Sequence, residues 1–296
     1  MMNGILLKGI GGFYYVETTD GVIECKARGV FRKDEVSPFV GDNVIIEITD
    51  TTSDGTKKGV IAEISSRKNS FVRPPLANID AIIFVVSVLK PAPNFFVLDK
   101  LIAICEYKGI EPVIVITKSD ISEDESITEI YKKAGFTVLS ISKDDNQNLD
   151  ELKAIMCRKI VAFIGNSGVG KSTLLNSVNR GLNLETAEIS EKLGRGKHTT
   201  RQVELFKTDE NSYIADTPGF SDVEIGKYET ILKENLADCF REFLDYTPNC
   251  KFTNCSHTIE KSCAVVKAVN SGEISQSRHQ SYINMYENAK KIKEWE

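Results

Sequence analysis

The stretch whose residue types specify chemistry most plainly is Gly165-Asn166-Ser167-Gly168-Val169-Gly170-Lys171-Ser172-Thr173. It fits the pattern G-x-x-x-x-G-K-[ST]. The glycines open backbone conformations closed to other residues, so that successive N–H groups can wrap a phosphate chain at the positive end of a following helix. Lys171 is the type of residue that reaches the β and γ phosphates, and the Ser172 hydroxyl is a magnesium ligand bridging the same two groups. Such a loop needs a strand before it and a helix after it. The run Lys159-Ile160-Val161-Ala162-Phe163-Ile164 reads as the strand and Ser172 to Val178 as the helix start.

A second element selects the base. Thr117-Lys118-Ser119-Asp120 follows the apolar run Pro112 to Ile116 and resembles the [NT]-K-x-D element with which GTPases read guanine. The Asp120 carboxylate can accept two parallel hydrogen bonds from the ring N–H and exocyclic amine of guanine, a pair that adenine lacks. Lys118 is expected along the base plane, with Ser142 and Lys143, at the end of another strand, supporting the base from the other side. Ala215-Asp216-Thr217-Pro218-Gly219 fits D-x-x-G, so Asp216 belongs to the magnesium shell and the Gly219 N–H to the γ phosphate. Between these lies the polar stretch Gly194 to Arg201, placed as a first switch, where Thr200 would complete magnesium coordination. Ras-type enzymes carry a water-orienting glutamine after the D-x-x-G glycine. Here that residue is Phe220, and His198 in the switch stretch is the candidate to orient water instead.

The order of these elements is inverted relative to Ras-like GTPases, since Thr117 to Asp120 and Ser142 precede Gly165. A circular permutation builds the same sheet from that order. The segment after Asp216 to Gly219 then runs straight into the C-terminal part of the chain, which a change on hydrolysis would reposition.

Cys250, Cys255, His257 and Cys263, spaced C-x4-C-x-H-x5-C, supply three thiolates and one imidazole. That set closes a tetrahedral zinc site with no open position, which makes the expected ion structural. Cys25, Cys105, Cys157 and Cys239 are scattered and read as small buried hydrophobes.

Three kinds of sequence surround these groups. Up to about Lys68, five short β-like runs (Gly4 to Lys8, Gly12 to Glu17, Gly21 to Cys25, Asn43 to Glu47, Gly59 to Glu63) suggest a barrel of the OB type. Its basic residues are nearly matched by acids, which leaves open whether it offers an RNA face or a solvated surface. From about Ser70, continuous apolar runs such as Asp80 to Ser87 alternate with helical spacing at Leu98 to Cys105, the pattern of a parallel α/β domain. Beyond Ser221 the segments Tyr228 to Leu236, Ala264 to Val269 and Gln280 to Tyr286 read as helices. The expected domains are residues 1–70, 71–223 and 224–296: an OB-type barrel, a circularly permuted α/β P-loop GTPase fold and a mainly α zinc-binding domain. The net charge of −5 gives no general drive toward nucleic acid. With no leader-like or membrane-length apolar run, and seven cysteines suited to a reducing compartment, a cytoplasmic, non-membrane monomer is expected.

Taken together, the Thr117 to Asp120 run ahead of the phosphate loop, the Gly-x-Gly-Lys-His198-Thr-Thr200 stretch, Asp216-Thr217-Pro218-Gly219-Phe220, the cysteine spacing, and Arg73-Pro74 with Asn78-Ile79-Asp80 resemble the RsgA (YjeQ) family. The resemblance covers nearly the whole chain. It implies a GTPase producing GDP and phosphate, stimulated by the small ribosomal subunit in its late maturation, with the barrel and zinc domain against ribosomal RNA. Two alternatives from the residues alone are a P-loop ATPase or small-molecule kinase, and a non-enzymatic RNA-binding module switched by GTP.

Overall fold

A computed structural model describes residues 1–29, 31, 37–52, 55, 57–88, 93–118, 126–142, 146–178, 203–216 and 229–292. The chain forms two compact units. The first gathers Met1–Ala81, Ala154–Phe163 and the described part of 179–220; the second gathers Ile82–Lys153, Ile164–Val178 and the described part of 221–296.

In the first unit, β1 (Met2–Ile10), β2 (Phe13–Thr18), β3 (Gly21–Ala27), β4 (Asn43–Thr51) and β5 (Lys57–Ile64) form a closed barrel in the order β1-β2-β3-β5-β4, with β4 returning to β1. All its pairings are antiparallel except β3 with β5. Alternation makes the interior: Leu6, Val16, Ile23, Cys25, Val44, Ile46 and Ile61 point inward and are buried. Within the barrel β1 serves two partners, β2 and β4, at close approach. Gly4 permits this, because a Cβ there would sit 2.5 Å from the Glu17 carbonyl oxygen. A hairpin of β6 (Ser70–Phe71) and β7 (Leu76–Ala77) follows. Near it the buried Asp42 carboxylate takes two hydrogen bonds from Arg67, at 2.7 and 2.8 Å.

The alternation then changes to continuous burial. In the second unit β8 (Ala81–Ser87), β9 (Glu111–Thr117) and β10 (Thr137–Ile141) lie in the order β10-β9-β8, and β9 and β10 run parallel. Helix α1 (Phe95–Lys108) joins β8 to β9; the Asn94 side chain caps its start by accepting from the Val97 amide, and Gly109, at φ 65°, ends it. Helices α2 (Ser126–Lys133) and α3 (Asn146–Met156) flank β10 in the chain. Strand β11 (Ile160–Ile164) is buried throughout and leads into the glycine loop and α4 (Lys171–Val178). In the first unit β11 pairs in parallel with β13 (Ser212–Asp216), β13 pairs antiparallel with β12 (Glu204–Asp209), and Glu204 of β12 stands opposite Lys8 of β1.

After residue 228 the described chain is helical and short-turned: α5 (Lys233–Leu236), three 3-10 turns, α6 (Ala264–Asn270) and α7 (Gln276–Ala289). Helical spacing over Tyr228 to Leu236 overstates the first of these. Glu229 instead pairs with Lys108 at 2.8 Å, Ile231 packs on the C-terminal core and Leu232 is extended, so tertiary contacts override local propensity. Among the minor cysteines, Cys25, Cys105 and Cys239 are buried as expected, but Cys157 is exposed because it lies in the turn that follows α3.

Candidate functional site

The glycine loop sits where a fully buried strand ends and a helix begins. Gly168 and Gly170 take φ of 82° and 96°, values that side-chain-bearing residues rarely adopt. Gly165 is required for a different reason, since a Cβ there would stand 2.6 Å from the Val85 carbonyl oxygen. Asn166, Ser167 and Gly168 are exposed, whereas Val169 is buried as the loop's apolar foot. The first bond of α4 runs from the Leu174 amide to the Gly170 carbonyl at 2.9 Å, so Lys171, Ser172 and Thr173 occupy the opening turn, whose amides lie at the positive end of the helix.

The end of β9 is fastened to this loop. Thr117 is buried, and its hydroxyl lies 2.5 Å from the Val169 carbonyl oxygen and 3.1 Å from that of Val86. The Lys118 ammonium donates to the Gly168 carbonyl at 2.9 Å, and Lys118 itself takes φ 60°. Two residues 50 apart in sequence are thereby brought together. The parallel register sets Ile141 of β10 beside Thr117, which places Ser142 just past the same edge of the sheet. In the first unit, Asp216 is the last residue of β13. Asp120, Lys143, His198, Thr200 and Gly219 lie outside the described residues.

The cysteine cluster is gathered by a turn and a helix start. The ligand atoms of Cys250, Cys255, His257 and Cys263 all lie within 4.8 Å of one another. Tetrahedral bonds of about 2.3 Å to sulfur and 2.0 Å to nitrogen would set sulfurs about 3.8 Å apart and sulfur about 3.5 Å from nitrogen. Cys250 Sγ is 3.8 Å from Cys263 Sγ, and His257 Nδ1 is 3.6 and 3.4 Å from these two sulfurs. Three of the donors stand at the spacings a tetrahedral ion would set, and Cys255 within 4.8 Å of them makes a set of four that could hold a metal ion. Backbone amides complete it: Ala264 donates to Cys250 Sγ, and Val266 to Cys263 Sγ as the cap of α6, bonds that favour thiolates.

Support comes from residues that the spacing does not reveal. His279 Nε2 donates to the His257 carbonyl at 2.7 Å and the Tyr282 hydroxyl to the Ser256 carbonyl at 2.9 Å, both from α7. Burial would raise the Glu260 carboxyl, but the Ser256 hydroxyl and the amides of Ser256 and Thr258 outweigh it and hold it at about 2. Away from the cluster, burial pushes the Cys25 thiol up to about 11 and that of Cys239 to about 12, so neither is poised to react.

The profile of the RsgA GTPase matches residues 64–226, and that of the RsgA N-terminal domain matches residues 3–60. The chain belongs to the RsgA GTPase family. Among RsgA relatives, the small ribosomal subunit biogenesis GTPase RsgA of Caldanaerobacter subterraneus subsp. tengcongensis is 44% identical over 98% of this chain and 96% of its own. That of Alkaliphilus metalliredigens is 42% identical over 98% and 99%. Two solved structures are also similar. YjeQ from Thermotoga maritima has a TM-score of 0.80 at 32% identity, covering 99% of both chains, and YloQ, a circularly permuted GTPase, has 0.78 at 32% identity, covering 99% of this chain and 96% of its own. The RsgA fold thus carries the permuted order read from the sequence.

Proposed function

We propose that this RsgA-family chain hydrolyses GTP to GDP and phosphate on the small ribosomal subunit and acts in late maturation of that subunit. Its carrying observation is the pair of bonds that fasten Thr117 and Lys118 to the carbonyls of Val169 and Gly168. They join a base-reading run to a phosphate loop, as nucleotide recognition requires, and the small-subunit role follows the relatives' names. In this reading Asp120 receives the guanine edge, Lys118 lies along the base, and Ser142 and Lys143 close the far side.

The amides of Gly165, Asn166, Ser167, Gly168, Val169 and Gly170 and those of Lys171, Ser172 and Thr173 wrap the phosphates, with the Lys171 ammonium opposing the charge that grows on the β and γ oxygens. Ser172, Thr200 and Asp216 supply the hard oxygen donors that suit magnesium. When bound, the ion neutralises charge on those same phosphate oxygens. Gly219 donates its N–H to the γ phosphate. His198 orients the attacking water, since Phe220 cannot hydrogen-bond it. The metal of the Cys250, Cys255, His257 and Cys263 cluster is zinc with a structural role, because the donors form a closed set.

The barrel (residues 1–70) and the zinc domain (224–296), which precede and follow the nucleotide domain (71–223) in the chain, meet ribosomal RNA, and the protein works as a cytoplasmic monomer. No helix among the described residues is long and apolar enough to cross a membrane. Turnover measured with and without small subunits, with ATP as competitor, tests the proposal. GTP hydrolysis stimulated by subunits and untouched by excess ATP is the expected result; turnover indifferent to subunits, or competed by ATP, would overturn it.

A further inference from the structure

Helix α1 has two buried faces with different partners. Leu98 and Leu101 line, together with Gly165, Asn166 and Val169 of the glycine loop, one cavity of about 40 Å³, room for only a few waters. About 200° around the helix, Phe96, Asp99, Ala103 and Glu106 recur at helical spacing. Ala103 belongs to the core of the C-terminal module, with Phe240, Phe243 and Tyr282, and Phe96 packs on it.

The polar members of this second face are gripped by arginines of the module. Arg278 of α7 is 1% exposed, yet it donates to Asp99 Oδ1 at 2.8 Å and to both oxygens of Glu242 at 2.8 and 3.1 Å. Tyr131 of α2 donates to the same Asp99 oxygen at 2.9 Å. The Arg278 guanidinium also lies 4.8 Å from the centre of the Phe240 ring. Along the helix, Arg241 bonds Glu106 and Glu111, and Lys108 pairs with Glu229. A buried ion cluster costs desolvation that apolar packing would avoid, so it is weak evidence for stability and better evidence for a fixed register. Asp99 Oδ2 is buried without a hydrogen-bond partner, so the carboxylate is held by geometry rather than fully satisfied.

We infer that Asp99 and Arg278 are positioning residues of the phosphate loop: they fix α1 against the C-terminal module, and α1 in turn walls the cavity that Gly165, Asn166 and Val169 also line. The C-terminal module and the phosphate grip therefore shift together. The effect falls on the phosphates rather than on the base, because β9 sets the place of Thr117 and of Lys118 just past it, and a displaced loop gives up its bonds to them without moving them. This rests on the nucleotide reading above.

The test measures binding of GDP and of inosine diphosphate, with magnesium, by titration calorimetry. Three proteins are compared: wild type, Arg278→Lys, and the triple variant Asp99→Asn/Glu242→Gln/Arg278→Met, which leaves no charge of the cluster buried alone. A triple variant that keeps wild-type helicity and metal content should bind both nucleotides about tenfold more weakly, by the same factor, with Arg278→Lys between. Affinity within twofold of wild type, or losses that differ between the two bases, would overturn the inference. Should the triple variant not fold, hydrogen exchange on the wild type decides. GDP is expected to slow exchange in α7 as well as in α1, and an α7 indifferent to GDP would sink the coupling. A wild type that binds no GDP would instead overturn the nucleotide reading, and this inference with it.

Discussion

The glycine loop and the cysteine cluster are the two candidate sites of the molecule, and they are built on opposite principles. The loop presents backbone: Gly168 and Gly170 hold left-handed conformations, and Asn166 to Gly168 stay exposed to whatever phosphate arrives. The cluster presents side chains turned inward, with His257 and Cys263 buried and α7 closing over them through His279 and Tyr282. A site that exchanges its ligand must stay open and preformed. One that keeps its ligand can make that ligand part of its core.

Metal removal should sharpen this contrast most. Stripping the cluster with a strong chelator is expected to melt the described helices of the C-terminal module, since structural zinc sites supply on the order of 10 kcal/mol of folding free energy. Circular dichroism alongside elemental analysis would show it, and a metal-free chain with undiminished helicity would break the comparison. Lys171→Ala should do the reverse, lowering GTP turnover by about a thousandfold while the thermal midpoint stays where it was. A large drop in the midpoint would mean that the loop, too, is a folding element.

Smaller effects separate the two supports. Thr117→Ala removes the hydroxyl that bonds the Val169 and Val86 carbonyls and should cost about 1–3 kcal/mol in stability by denaturant unfolding. Nucleotide affinity should fall with it, because the loop loses its tie to β9. Tyr282→Phe loses the bond to the Ser256 carbonyl and should cost about 1 kcal/mol, with GDP affinity unmoved because Arg278 keeps its bonds to Asp99 and Glu242. If Tyr282→Phe weakened GDP binding as much as Thr117→Ala, the two sites would not be separable in this way.

Much of this molecule could be read along the chain because the carriers are local. A glycine loop between a buried strand and a helix, a T-K-x-D run after another buried strand, and four candidate metal donors within 14 residues are short-range patterns whose physics does not depend on distant contacts. The five barrel strands were legible for the same reason, as alternation needs only one buried face. The helix over Tyr228 to Leu236 was not, because Glu229 and Ile231 find partners on α1 and in the C-terminal core that no spacing announces.

Sequence alone set the candidate donors, namely the glycine loop, the Thr117 to Asp120 run and the three cysteines and one histidine of the cluster, and the order in which they come. Tertiary structure decided what holds those donors in place. Thr117 reaches Val169 across 52 residues, and Arg278 reaches Asp99 across 179. Such pairs depend on where folding brings two chain segments side by side, and the identity of an arginine or a threonine carries no information about its partner until the packing of α1, α7 and the sheet has set their separation.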